Sequence, residues 1–165
     1  MNRSRSNVPS WRHLALAFAA AWLLASVWGS LVQTQFNLAA LTSLAVEVPM
    51  ALRLLTSLQD LASFGGIYAG IVLAAWLPAF AAAAWLARRW PGGRVALFAA
   101  AAGAGLAVAI RVVDAVAPMP VFIDATRSTG GLLTMALGSA LAGALFAHWL
   151  GREGAGADRL PDARF

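Results

Sequence analysis

The chain of 165 residues has no cysteine and no lysine, and only 12% of its residues are charged. The absence of cysteine excludes disulfides, thiol nucleophiles and metals held by cysteine. Because 61% of the residues are hydrophobic, a soluble fold would lack enough polar surface to cover itself. No basic run alternates with aromatic residues, so we expect no binding to nucleic acid.

The short motifs of several enzyme classes are also missing. The sequence has no glycine-rich phosphate loop between a strand and a helix, no G-x-S-x-G nucleophile elbow and no H-E-x-x-H zinc pair. His13 and His148 are the only histidines, and two ligands near helix ends are too few for a zinc or di-iron centre. We therefore predict no catalytic residue, no cofactor and no metal site.

Four long apolar stretches predict an all-α integral membrane protein with four transmembrane helices. A helix of about 20 residues crosses the hydrocarbon core of a bilayer. Pro118 and Pro120 prevent the third helix from continuing, and Ser128 or Thr129 can cap the fourth. We expect a single domain over 1–150, with a flexible tail over 151–165. The expected spans are 14–32, 66–86, 95–116 and 130–150.

The connection over 33–65 is too long for a simple turn and too apolar for a solvated loop. Asn37 can cap one short helix reaching Val46, and Pro49 suits the first turn of another that reaches Ser63. The second helix is amphipathic: Leu54, Leu58 and Leu61 share one face, and the opposite face is polar through Arg53, Thr56, Ser57 and Asp60. The sequence predicts either an interfacial helix or a re-entrant hairpin.

The arginines predict the orientation of the protein in its membrane. Nine lie in the amino-terminal leader, the turn over 88–94 and the tail, whereas Arg53, Arg111 and Arg127 lie on the opposite side. The positive-inside rule then places both termini in the cytoplasm. Tryptophans near the same ends as the nine arginines agree with this orientation. Exclusive use of arginine and abundant alanine indicate a GC-rich bacterial genome, and hence a bacterial inner membrane.

Charged residues at the outer side are the candidate binding residues. Arg111 and Asp114 share a face of the third span near its outer end. Arginine's planar fork can bind a lipid phosphate or a carboxylate, and a nearby aspartate can orient it. Alternatively, Arg111 and Asp114 form a pair that extends to the interface, and the remaining charges form a solvated face with local salt bridges. The candidate ligand-binding residues are Arg53, Asp60, Arg111, Asp114, Asp124 and Arg127.

Three functions are compatible with this pattern. The preferred one is a non-enzymatic accessory or scaffolding subunit of a membrane assembly, because the spans carry little chemistry and many small residues suited to close packing. The alternative is a homo-oligomeric protein that binds lipid or transports a small solute through the outer arginine and aspartate cluster. The third is an enzyme acting on lipid, with Asp60 or Asp114 as general base. The expected partners are membrane lipids and either a membrane protein or further copies of this chain.

Overall fold

The computed structural model describes residues 11–116 and 123–157, and these ranges are helical with no strand. Four helices follow one another, and each is long and apolar enough to cross a membrane, which indicates a multi-pass membrane protein. Short 3-10 turns over Pro91–Gly93 and Asp124–Arg127 precede the third and fourth helices. The helices are α1 Trp11–Ser43, α2 Met50–Ala87, α3 Arg94–Val116 and α4 Thr129–Ala157.

The four helices form an antiparallel bundle. Helices consecutive in sequence are neighbours, and α1 packs against α4 to close the ring. One end of the bundle, called here the arginine end, contains the turn between α2 and α3 with Arg88, Arg89 and Arg94. Exposed Trp11, Trp85, Trp90 and Trp149 lie at this same end. The opposite end contains the connection from α1 to α2 and the 3-10 turn before α4.

Aromatic rings fill the bundle interior toward the arginine end. Phe80 stacks on Trp76 with ring centroids 4.7 Å apart and on Phe146 at 5.3 Å. Phe18 packs edge-on against all three of these rings. Such pairs contribute beyond the area that they bury. Ser139 places a hydroxyl group in this interior, where it accepts a hydrogen bond from Trp76 Nε1 at 2.9 Å and donates to the Ala102 carbonyl oxygen at 2.9 Å.

Small residues let the backbones of neighbouring helices approach closely. A Cβ added at Gly143 of α4 would lie 2.6 Å from Ala102 Cβ and 2.7 Å from the Phe98 carbonyl oxygen of α3. Gly29 of α1 lies directly beneath the Tyr68 ring of α2, where a Cβ would overlap the ring. Glycine is therefore required at both helix contacts by the space available and not by the backbone conformation.

The connection over 33–65 differs from the sequence prediction. Instead of two short separate helices, α1 continues without interruption to Ser43 and α2 begins at Met50. The true connection is short, and it starts with a Schellman motif. Val46 N–H donates to the Leu41 carbonyl oxygen, Ala45 N–H donates to that of Thr42, and Ala45 has a φ of 60°. The chain therefore extends the first two helices as a continuous helical hairpin.

The start of α4 agrees with the sequence prediction, whereas its end differs from it. Ser128 caps the helix, because its Oγ accepts a hydrogen bond from Gly131 N–H at 3.0 Å. The helix continues to Ala157, beyond the expected end of the span at residue 150. The start of the expected flexible tail is therefore helical, and 158–165 lie outside the described residues, as do Pro118 and Pro120.

Candidate functional site

The candidate site lies between the extended parts of α1 and α2. We call residues 34–64 the helical hairpin. In this region α1 and α2 pair with each other beyond the level at which α3 ends and the 3-10 turn over Asp124–Arg127 begins. Gln33 marks this level, because its Oε1 accepts a hydrogen bond from Ala125 N–H of that turn at 2.8 Å. At 1.5 Å per residue, the stretch of α2 from Met50 to Phe64 extends about 21 Å beyond it.

A line of polar side chains, called here the polar seam, joins the two helices of the hairpin. Arg53 Nη1 donates to Gln35 Oε1 at 3.2 Å, and Gln35 Nε2 donates to Ser57 Oγ at 3.2 Å. Ser57 Oγ donates in turn to the Arg53 carbonyl oxygen at 2.8 Å, which closes the circuit. A second Arg53 nitrogen lies 3.5 Å from Thr42 Oγ1. Arg53 therefore binds α1 at two positions separated by two helical turns.

Asp60 occupies the inner end of the polar seam. The Thr34 hydroxyl lies 2.8 Å from Asp60 Oδ2 and 3.0 Å from the Ser30 carbonyl oxygen, and its single proton serves one of these oxygens at a time. Thr34 is buried and Asp60 is half-buried. The hydrogen bond from Thr34 holds the Asp60 carboxylate in place, because hydrogen bonds to a charged group are stronger than those between neutral groups.

Two hydroxyls next to the seam are buried without a hydrogen-bond partner in the described part of the chain. They are Ser30 Oγ and Tyr68 Oη, and both residues are fully buried. Ser30 lies one turn from Thr34 on the same face of α1. Asn37 Oδ1 is a third such atom. A buried polar atom without a hydrogen-bond partner lowers stability. The base of the hairpin is therefore the part of the described structure where the hydrogen bonding of buried atoms is least complete.

The outward surface of the hairpin is mostly apolar, with exposed polar side chains at Gln35, Thr42, Ser43, Glu47, Gln59 and Ser63. Leu54 and Leu58 are 61% and 67% exposed, and their polar neighbours Arg53 and Ser57 face α1. This reverses the usual arrangement of an amphipathic pair, in which polar groups face the solvent. A contiguous exposed apolar patch marks an interaction surface. The other large exposed apolar residues of the hairpin are Leu41, Leu44, Val46, Met50, Leu52 and Leu55.

The predicted site residues fall into separate groups. Arg53 and Asp60 share the polar seam. Asp114 of α3 is half-buried, and its Oδ2 lies 3.4 Å from Thr126 Oγ1 of the 3-10 turn. Arg111 and Arg127 are exposed. The backbone of Asp124 begins the same turn, whereas its side chain lies outside the described part of the structure.

Sequence reasoning did not identify Thr34 and Thr42, two of the partners on α1. Gln35, which carries the central contact of the seam, was only one of several hydrogen-bonding residues that the sequence places at the outer side. The spacing of hydroxyl residues on α1 contained a signal: Ser26, Ser30 and Thr34 recur every four residues and so share one face of the helix.

Comparisons with protein families, with curated proteins and with solved structures found no match to this chain.

Proposed function

We propose that the protein is a non-enzymatic accessory or scaffolding subunit that binds a partner membrane protein through the apolar surface of its helical hairpin. The observation that carries this proposal is the reversed arrangement of the hairpin, with Arg53 and Ser57 turned inward and Leu54 and Leu58 turned outward. Inward polar groups hold the two helices together, which leaves the outer leucines available for another protein.

Helix lengths support a protein partner for this surface over the lipid interior. From Arg88 back to Gly66, α2 spans about 33 Å, which already matches a hydrocarbon core of about 30 Å. With the arginine end in one headgroup layer, the hairpin projects beyond the other layer. Its leucines then have no acyl chains around them, and burial against a protein removes them from water.

The proposal includes a location and an orientation. The protein resides in a bacterial inner membrane with both termini in the cytoplasm, because the arginine end follows the positive-inside rule. The hairpin then faces the periplasm. Single cysteines at Thr42 and Gly92 test this arrangement: an impermeant thiol reagent should label the first and not the second in intact cells, and labelling at Gly92 would reverse the orientation.

The functional test is native mass spectrometry of the protein purified from its own membrane in mild detergent. We expect a stoichiometric foreign subunit that is lost from a Leu54→Gln, Leu58→Gln variant. Val116→Gln serves as the matched control, because Val116 is 80% exposed at the same end of the bundle and lies outside the hairpin. The control should keep the subunit.

The same measurement separates the alternative function. A homo-oligomer that retains one enriched lipid or solute, with no foreign subunit, would support the hypothesis of lipid binding or transport. It would contradict the hypothesis of an accessory subunit. That ligand should then be lost on substitution of Arg111 or Arg127, the two exposed arginines of the candidate cluster. A monomer without any partner would contradict both.

A further inference from the structure

A long apolar groove lies between α2 and α3 on the outside of the bundle. It has a volume of about 910 Å³ and is lined mainly by alanine, with Pro78 and two glycines. The lining runs from Ile67 to Leu86 on α2, which is about 28 Å at 1.5 Å per residue and so close to the thickness of a hydrocarbon core. The groove therefore follows the two helices through the membrane.

Small side chains lie at the contact between the two helices on the floor of this groove. A Cβ at Gly105 would lie 3.0 Å from Ala79 Cβ and 3.4 Å from the Ala75 carbonyl oxygen. Ala82 and Ala104 lie on the exposed walls above that contact. Alanine at these positions leaves open the space that a larger side chain would fill.

Two arginines follow the lining residues at the arginine end. Arg89 comes three residues after Leu86, and Arg94 three residues before Leu97, so both lie about one helical turn beyond the lining. The backbone keeps this register after α2 ends, because Trp90 N–H donates to the Leu86 carbonyl oxygen at 3.2 Å. Arg94 is the first residue of α3.

Charge differs between the two mouths of the groove. The segment over 88–94 contains three arginines and no carboxylate. The opposite mouth ends at Val112 and Val113, which lie between Arg111 and Asp114 and so between charges of opposite sign. An anionic group is therefore favoured at the arginine end and not at the other end.

Aromatic rings support the two guanidinium groups. Arg89 lies over the Trp85 ring with its guanidinium carbon 5.8 Å from the ring centroid, and Arg94 lies over Phe98 at 5.9 Å. Neither ring lines the groove, but Trp85 and Phe98 are next in sequence to the lining residues Leu86 and Leu97. Stacking occupies the face of a guanidinium and leaves the N–H groups in its plane for other bonds. Such N–H groups bind phosphate in a bidentate geometry.

We propose that this groove binds an acyl chain of an anionic phospholipid whose phosphate is bound by Arg89 and Arg94. The apolar lining suits an acyl chain, and the charge at the arginine end suits its anionic headgroup. An acyl chain enters from the bilayer without any rearrangement of the bundle, because the groove is open along its side.

The test is competition between two lipids with the same chains. The purified protein is incubated in mild detergent with equimolar dioleoyl phosphatidylglycerol and dioleoyl phosphatidylcholine, and native mass spectrometry counts the lipids retained. We expect a preference for phosphatidylglycerol that falls at least about tenfold in the Arg89→Gln, Arg94→Gln variant, since each arginine near an anionic headgroup contributes roughly fivefold. The Arg12→Gln variant removes an exposed arginine of α1 from the same end, away from the groove, and should keep the preference.

Filling the groove tests the position of the chain. Ala82→Phe with Ala104→Phe should reduce the retained phosphatidylglycerol at least threefold. Ala81→Phe with Ala84→Phe is the matched control, because these alanines are exposed on α2 outside the groove. An equal loss in both variants, or no loss in either, would overturn the assignment of the chain to the groove.

The wild-type protein gives a test that does not depend on the folding of any variant. Dioleoyl phosphatidylglycerol should displace dihexanoyl phosphatidylglycerol at least tenfold more effectively than the reverse, because the longer chains bury more apolar surface in the groove. Equal retention of the two lipids, or of phosphatidylglycerol and phosphatidylcholine, would overturn the proposal. This result is independent of the accessory function, which concerns the hairpin at the other end.

Discussion

The bundle interior and the helical hairpin place polar and apolar side chains on opposite sides. Inside the bundle, Trp76 and Phe80 stack on each other, and the indole N–H of Trp76 donates a hydrogen bond to Ser139. Between the helices of the hairpin, Arg53 and Asp60 bond to α1, whereas the leucines point outward. The same two helices thus change their packing chemistry along their length.

This comparison indicates which region stabilises the protein and which region binds a partner. Aromatic packing in the bundle removes large apolar areas from contact with the surroundings and fixes helix positions closely. Exposed or half-buried polar pairs contribute much less, because the surroundings screen them. We therefore expect the bundle to dominate the free energy of unfolding, and the hairpin to be locally weaker and free to bind a partner.

The largest effect should come from the aromatic cluster. Trp76→Ala removes a fully buried ring and leaves Ser139 without its donor, and should lower the free energy of unfolding by about 3–5 kcal/mol. The measurement is SDS-induced unfolding in mixed micelles, followed by circular dichroism. Leu58→Ala, on the outside of the hairpin, should change it by less than about 0.5 kcal/mol. Similar losses in the two variants would contradict the comparison.

An intermediate effect is expected at the contact between α3 and α4. Gly143→Ala places a methyl group against the Phe98 carbonyl oxygen and should cost about 1–3 kcal/mol in the same unfolding experiment. Gly66→Ala is the matched control, because a Cβ at Gly66 meets nothing within 4 Å. That change should stabilise α2 by about 0.5–1 kcal/mol, as alanine does in a helix. A stabilising Gly143→Ala would show that the helices are farther apart.

The smallest effect concerns the polar seam. Thr34→Val keeps the side-chain shape, removes the hydroxyl bonded to Asp60, and should cost about 0.5–1.5 kcal/mol. Because the seam joins only the hairpin, amide hydrogen exchange should accelerate up to about tenfold in the hairpin and stay unchanged in α3. Thr134→Val is the control, since its hydroxyl bonds within its own helix to the Gly130 carbonyl oxygen. Uniform acceleration throughout the bundle would contradict a local role.

The sequence was informative about α2 and misleading about α1. Spacing alone placed Arg53 and Asp60 on one face of a helix, and the structure has them on one face. The break expected near Asn37 does not exist, because no glycine or proline interrupts the chain between Ser30 and Ser43. The expected span lengths were taken from the thickness of a bilayer. A helix, however, ends where its terminal backbone N–H and C=O groups find other hydrogen-bond partners.

The remaining site residues could not be assigned from sequence for a different reason. Asp114 is close to Thr126 because the 3-10 turn over Asp124–Arg127 packs against the bundle, where Ala125 N–H also donates to Gln33 of α1. Contacts of this kind join residues far apart in sequence. Helical periodicity contains no information about them, since it describes one helix at a time.

By itself, the sequence determined the class of the protein, namely four apolar helices with arginines collected at one set of helix ends, because hydropathy and charge act residue by residue. It also determined which residues share a helical face. Only the tertiary structure decided that the polar face of the hairpin points inward, and that alanines on α2 and α3 leave a groove between them. Whether a helical face is buried, exposed or part of a groove depends on the neighbouring helix, and the sequence of one helix does not specify that neighbour.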